Sequence, residues 1–446
     1  MRHQPMGANF FMRSMIQMTI DKDAVARAVR KPLETYYANI GNGENEDFSE
    51  RPGDWEENEE LFKSIFKSPY VNSRLDWLYV LELIYEVIDR PEQLKPEQFA
   101  IALEKSVAAT AGHRDYLAIV PMAFKSPFGF FGMKSLPARS MQIGQFTFSP
   151  AADSEQALNK IIRRHGFPEI DESDFQHASK TSRKAFSHEM LASFIAHGTE
   201  DRLRFSVELK FRHMARLVEL FACLFAEIAS PLATSRASNH FFLLSKTTGE
   251  LRRLPSIKPL SIDFELSADL LKSIKRPEFD IFFTDISSST DSMHGRLRNA
   301  IKFFSMALNS EDDVTSFLFY VVAVESIFSR DKNNPIKATL AELGSMLCFP
   351  PKQRLDAYQM IREAYDLRSS IVHAGASSVD KKNVGIVRSI AARAIYSSLY
   401  LCTNLKGGQG KLEDRFFNHL RDQKLGVAKA IIPRSIWALP EIGTID

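Results

Sequence analysis

The stretch Leu355–Ala376, LDAYQMIREAYDLRSSIVHAGA, decides how the rest of the chain is read. Leu355, Tyr358, Ile361, Tyr365 and the Leu367/Arg368 pair recur at three- and four-residue intervals, with Asp, Gln, Arg and Glu between them. That period predicts one amphipathic helix, and Gly375 with the Ser377-Ser378 pair supplies a C-terminal stop. The helix carries Arg368 and His373 into its own last turns. Five residues on an ideal helix span about 500°, a net turn of roughly 140° with about 7.5 Å of rise. The two side chains therefore leave the helix in different directions. They meet over one ligand only if the last turn distorts or if two copies of the helix face each other.

An always-charged planar guanidinium suits a phosphate, and an imidazole takes up and returns a proton near neutral pH. With no carboxylate or thiol partner beside them, the pair points to metal-free phosphodiester chemistry. The same spacing also fits a plain helix end, where a histidine sits well beside the terminal carbonyls. The surrounding sequence has to decide between the two.

A chain of 446 residues is long for one core, so two or three domains are expected. Hydrophobic content of 44% and charged content of 25% belong to an ordinary globular protein. A formal net charge of +2 excludes a broadly basic nucleic-acid coat, so any RNA or DNA contact has to be local. Cys223, Cys348 and Cys402 stand far apart, with neither metal-ligand spacing nor a disulfide set, which fits a reducing cytosol. No run of ~18 uncharged apolar residues occurs, and Arg2, His3 and Arg13 break the methionine-rich start. The expected location is cytoplasmic, with no membrane, metal or cofactor.

In chain order, residues 1–112 read as a helical region. It holds AVARAVRKPLETYYANI, the acidic linker GNGENEDFSERPGDWEENEE, the periodic SRLDWLYVLELIYEVIDR and KPEQFAIALEKSVAATA. Residues 113–285 read as mixed α and β. Strands are predicted at Tyr116–Phe124, Met141–Phe148, Arg202–Lys210 and Asn239–Ser245, and helices at 153–165, 177–197 and 212–229. The loop SPFGFFGMKSLPARS carries aromatics beside Lys134 and Arg139, a combination that can stack on bases and equally well packs as a turn. His165, His177, His188, His197 and His213 show no ligand spacing and read as structural or surface residues. Residues 254–283, with Pro255, Pro259 and Pro277, read as a loose connection. Residues 286–425 then read as an antiparallel helical bundle with short connections, and 426–446 as a tail. The fold class is mainly α with a mixed α/β middle region.

The bundle resembles the HEPN superfamily, in particular its ApeA-like branch, over roughly residues 291 to 425. An early helix ends in Ala307-Leu308-Asn309-Ser310, and a second carries Ala323-Val324-Glu325-Ser326-Ile327-Phe328. The helix ending Arg368-Ser369-Ser370-Ile371-Val372-His373 matches the family's Arg-X4-6-His motif, with a polar residue directly after the arginine. The resemblance implies a metal-independent endoribonuclease, a toxin-like effector in anti-phage defence whose site forms where two bundles pair. His373 would act on the attacking 2′-hydroxyl or the leaving oxygen, Arg368 would hold the phosphate, and Ser369 would line the site. Glu325 would orient Arg368, or else tie two helices together by a salt bridge. RNA is the implied substrate, a homodimer the implied assembly, and a phage-derived trigger the implied activator acting through residues 1–285. Residues 286–446 alone would then be more toxic or less selective than the whole chain. Two other readings stand beside this one. One is a catalytically idle HEPN module for dimerisation or nucleotide binding, and the other an antitoxin-like partner of a nucleotidyltransferase.

Overall fold

The computed structural model describes residues 20–41, 55–68, 93–113, 115–122, 140–150, 154–181, 190–226, 238–260, 268–289, 291–329, 336–374, 378–431 and 433–437, together with Val71, Leu75, Val80, Leu83, Ile84, Val87 and Leu439. Three helices come first: α1 (Lys22–Gly41), α2 (Trp55–Phe66) and α3 (Pro96–His113). α1 packs on both of the others. Val25, Val29, Leu61, Ile65, Phe99 and Leu103 make a core separate from the rest, which Val80, Leu83, Ile84 and Val87 join. The last part of the acidic linker, from Trp55, belongs to α2, because carboxylates suit a helix start and Leu61 and Ile65 bury one face behind them. Residues 42–54 and most of the periodic 73–90 segment lie outside the described residues.

The middle of the chain runs β1 (Asp115–Met122), β2 (Met141–Ile143), β3 (Phe146–Pro150), α4 (Glu155–Arg164), α5 (Glu172–Thr181), β4 (Met190–His197), α6 (Glu200–Phe225), β5 (Ser238–Ser245) and β6 (Leu251–Leu260). The strands form one six-stranded sheet in the order β2-β3-β4-β1-β5-β6, every neighbouring pair antiparallel. Strand alternation divides its side chains between two layers. Leu117 and Ile119 pack with Leu158, Ile162 and Phe175 of α4 and α5. Ala118, Val120, Phe146, Phe148 and Phe194 face the other way, into a core shared with α6.

Several expectations change here. Arg202–Lys210 is helix, the start of α6, and not a strand. Leu203, Val207, Phe211 and Met214 bury one helical face, while Phe205 and Leu209, which completed the apparent alternation, are 57% and 51% exposed. The helix predicted over 177–197 ends at Thr181, and Met190–His197 is strand β4. β4 lies between β3 and β1 and is covered on both faces, with Leu191, Ala192, Ser193 and Phe194 all fully buried, so no alternation marks it. Met141–Phe148 is a hairpin rather than one strand, turning at Gly144 with φ 56°. The loose 254–283 region contains β6, α7 (Ala268–Ile274) and α8 (Pro277–Ser288). Pro255 sits on an edge strand and Pro277 opens a helix, two places where proline is tolerated. The loop 123–139, with Lys134 and Arg139, lies outside the described residues.

The remaining elements are α9 (Ser292–Leu308), α10 (Asp313–Phe328), α11 (Ile336–Cys348), α12 (Arg354–Ala374), α13 (Lys381–Asn404), α14 (Leu412–Lys424) and α15 (Arg434–Trp437). α10 is central and packs against α9, α11, α12 and α13. Asp291, Asp312 and Asp380 cap α9, α10 and α13 by accepting backbone N–H bonds. The segment read as a tail holds α15, whose Ile436 is fully buried.

The boundary between residues 285 and 286 falls inside α8. Tyr396 of α13 packs against Phe282 of α8 at 5.1 Å and against Phe221 of α6 at 5.5 Å between ring centroids. Phe283 of α8 reaches Phe146 of β3 at 5.3 Å. One apolar core thus runs from the sheet through α6 and α8 into the helices that follow.

A buried ionic cluster sits at this joint. His294 is 2% exposed and hydrogen-bonds Asp291 through Nδ1, while its Nε2 stands 3.9 Å from Asp285. Lys406 pairs with Asp285, and Thr403 donates to it at 3.2 Å. Arg298 of α9 donates to the carbonyls of Ile286 and Ser289, and the buried thiol of Cys402 lies on the α13 side. Burial disfavours the imidazolium, but Asp285 and Asp291 outweigh it and hold the His294 pKa above its ordinary 6.5. The two carboxylates are likewise held below their usual range despite burial. Stability from protonated His294 is complete below pH 6.5 and is lost as pH rises through its raised folded value. The share from Asp285 and Asp291 holds above about 3.8 and is lost as pH falls through their lowered values. His294→Gln should cost about 1–3 kcal/mol near pH 6, the range for a disrupted buried polar partner. Thermal melts across pH should show the gap between wild type and variant narrowing on the alkaline side. A gap that widens there would refute the protonated state.

Candidate active site

α12 presents Ala357, Ile361 and Ile371 to the core. Its approach to α11 is close, since a Cβ added at Gly344 would lie 3.0 Å from Ile361 Cδ1. Lys337 of α11 binds Asp366 at 2.6 Å, fixing the same pair of helices from the surface. Arg368 lies on the half-buried side of α12, facing α10. Its Nε stands 3.6 Å from Glu325 Oε1, with the two side chains 26% and 18% exposed. That Nε is buried and makes no hydrogen bond, although its charge lies at ion-pair distance from the carboxylate. The guanidinium also lies 5.9 Å from the Tyr365 ring centroid. Burial pushes the Glu325 pKa upward, and Arg368 opposes the shift only in part.

His373 is in the last turn of α12 and is exposed, as is Ser370; Ser369 is half-buried. The structure therefore brings Arg368 and Glu325 together and leaves His373 on the solvent side of the same helix, as five residues of helical turn dictate. One copy offers a cation at the α10–α12 seam and a separate, accessible imidazole. A ligand touching both would need the helix end to rearrange or a second copy to supply the missing group.

Two residues not singled out in the sequence surround the far end of α10. Arg296 of α9 donates through Nη1 to the Ser329 carbonyl at 2.6 Å and lies 3.5 Å from that of Ser326. Its Nε donates to Glu413 of α14 at 2.8 Å. These are C-terminal helix carbonyls that no later turn can satisfy.

The scattered histidines take the structural places expected of them where they are described. His165 bonds Ser193 at 3.0 Å, and His197 bonds Asp115 across the register pair of β4 and β1. His213 is buried, and that burial, followed by Arg216 and Arg298, lowers its pKa to about 3. His188 lies outside the described residues, as does the side chain of His177. Among the described residues no group of His, Cys, Asp and Glu is arranged to hold a metal ion, and no helix is long and apolar enough to cross a membrane. No protein-family model, curated protein or solved structure matches the chain. The HEPN resemblance accordingly rests on the residues of α9 to α12 alone.

Proposed function

We propose that the chain is a metal-independent endoribonuclease of HEPN type, acting in the cytoplasm as a toxin-like effector against phage, with residues 1–285 sensing or transmitting the trigger. The observation that carries this reading is the arrangement of the motif. Arg368 is held at the α10–α12 seam beside Glu325, and His373 stands exposed on the last turn of the same helix. α9, α10, α12 and α13 supply the HEPN-like bundle.

In this mechanism His373 takes the proton of the RNA 2′-hydroxyl, and the freed oxygen attacks the neighbouring phosphorus. The P–O5′ bond breaks, and the 5′-oxygen takes a proton from the second copy's imidazole or from water. Arg368 neutralises charge developing on the phosphate, and Ser369 lines the site. Because the two groups diverge around α12, the active form is a homodimer with these helices near its two-fold axis. Cleavage should persist in EDTA, leave 2′,3′-cyclic phosphate ends and spare DNA, which lacks the nucleophile. Cleavage assays with EDTA and on a matched DNA oligonucleotide, with end-group analysis of the cut RNA, read the three outcomes; activity that disappears with EDTA sinks the assignment.

The second reading, an idle HEPN module for dimerisation or nucleotide binding, is favoured by one feature. Arg368 and Glu325 also make a helix–helix ion pair, which needs no substrate to justify it. Such a module would dimerise and leave RNA intact.

A further inference from the structure

We infer that Arg296, anchored by Glu413, is a positioning residue that sets where Glu325 holds the Arg368 guanidinium. The inference rests on the nuclease reading for its catalytic consequence, although its geometric part does not.

The contacts form a line across four helices. Glu413, in the first turn of α14, accepts from Arg296 Nε at 2.8 Å and also from the Ser292 hydroxyl. Arg296 on α9 then donates to Ser329 O and Ser326 O, gripping the last turn of α10 from outside. Glu325 belongs to that turn, and its own carbonyl accepts from Ser329 N at 2.9 Å. Beyond Glu325 lies Arg368 Nε on α12, at 3.6 Å and without a hydrogen bond. An N–H···O bond needs about 2.7–3.2 Å. A few tenths of an ångström in the last turn of α10 therefore decide whether this pair is a loose ion pair or a directed hydrogen bond that fixes the guanidinium plane. Among the described residues, Arg296 holds that turn from outside α10. Its fork reaches the carbonyls and the carboxylate together, which an ammonium cannot reproduce.

The full-length protein carrying Arg296→Met, and separately Glu413→Gln, tests this by two readouts. The first is the Arg368 Nε–Hε resonance in the nitrogen-proton spectrum, assigned with Arg368→Lys. It should shift in both variants and should not return in Arg296→Lys. The second is kinetic. On an RNA oligonucleotide, Arg296→Met should lower kcat by up to about 10²-fold, as misplaced catalytic groups do, with KM little changed. The same change should add less than about 2-fold on a Glu325→Gln background, since residues acting through one another are not additive. Glu413→Gln approaches from the other end of the line, should Arg296→Met fail to fold. An unmoved Arg368 resonance overturns the inference whatever RNA does. A kcat that holds in Arg296→Met while His373→Ala is dead overturns its catalytic half. If the resonance moves but wild type and His373→Ala treat RNA alike, the positioning stands and the nuclease reading falls.

Discussion

His373→Ala should slow RNA cleavage by ~10²–10⁴-fold, the usual cost of losing a positioned acid–base group, and should leave thermal stability almost unchanged. The side chain is exposed at the end of α12, so its removal opens no cavity. Arg368→Ala should be as severe for cleavage but should behave differently in a melt. It leaves the half-buried Glu325 carboxylate without its cation, and burial already pushes that group toward protonation. A loss of stability that eases at lower pH is expected for Arg368→Ala and not for His373→Ala. Arg368→Lys should restore part of the stability and little of the activity, because a point charge pairs with Glu325 but cannot present a planar fork to a phosphate. RNA cleavage and thermal unfolding of the same three preparations separate chemistry from folding. If His373→Ala cuts as well as wild type, the site is not a nuclease centre and the idle-module reading replaces it.

Helices with an apolar stripe and short connections are legible in the sequence, and α9 to α14 follow the expected order. The misread segments share a physical cause: local periodicity does not say which apolar residues are buried. In α6, Phe205 and Leu209 are apolar yet face solvent, so a strand-like alternation was superimposed on a helical core pattern. In β4, burial on both faces erased the alternation that marks a half-buried strand. Pro277 read as a breaker because proline in isolation does not announce whether it ends a helix or starts one. The site divides in the same way. Arg368, His373 and Glu325 were visible because spacing and family likeness mark them, whereas Arg296 and Glu413 meet across 117 residues of chain. Their contact belongs to tertiary packing and leaves no local trace. His294 had a local signal, an aspartate N-cap three residues before it, but its second carboxylate comes from α8 and its neighbouring cation from beyond α13.

Residues 286–446 expressed alone should fail to fold, which bears on how a regulatory role for residues 1–285 can be tested. The cut passes through α8 and removes α6, so Tyr396 would lose Phe282, Phe221 and Phe225 together. Each large apolar side chain exposed in this way forfeits about 1.5–3 kcal/mol. Several such losses rival the ~5–15 kcal/mol that holds a domain folded. The cut also deprives His294 and Lys406 of Asp285, leaving charges that were balanced inside the joint. A fragment beginning at residue 113 keeps the sheet, α6 and α8, and among the described residues it gives up helices whose core is their own. It should melt cooperatively and show the near-ultraviolet signal of fixed aromatics, while 286–446 should show neither. Silence of the shorter fragment toward RNA would then report unfolding and not restraint. Only the fragment from residue 113 can ask whether the N-terminal helices hold the proposed nuclease in check, by comparing its toxicity and RNA selectivity with the whole chain. A cooperative melt from 286–446 would mean the shared aromatic packing is dispensable and would restore the bundle as a unit in its own right.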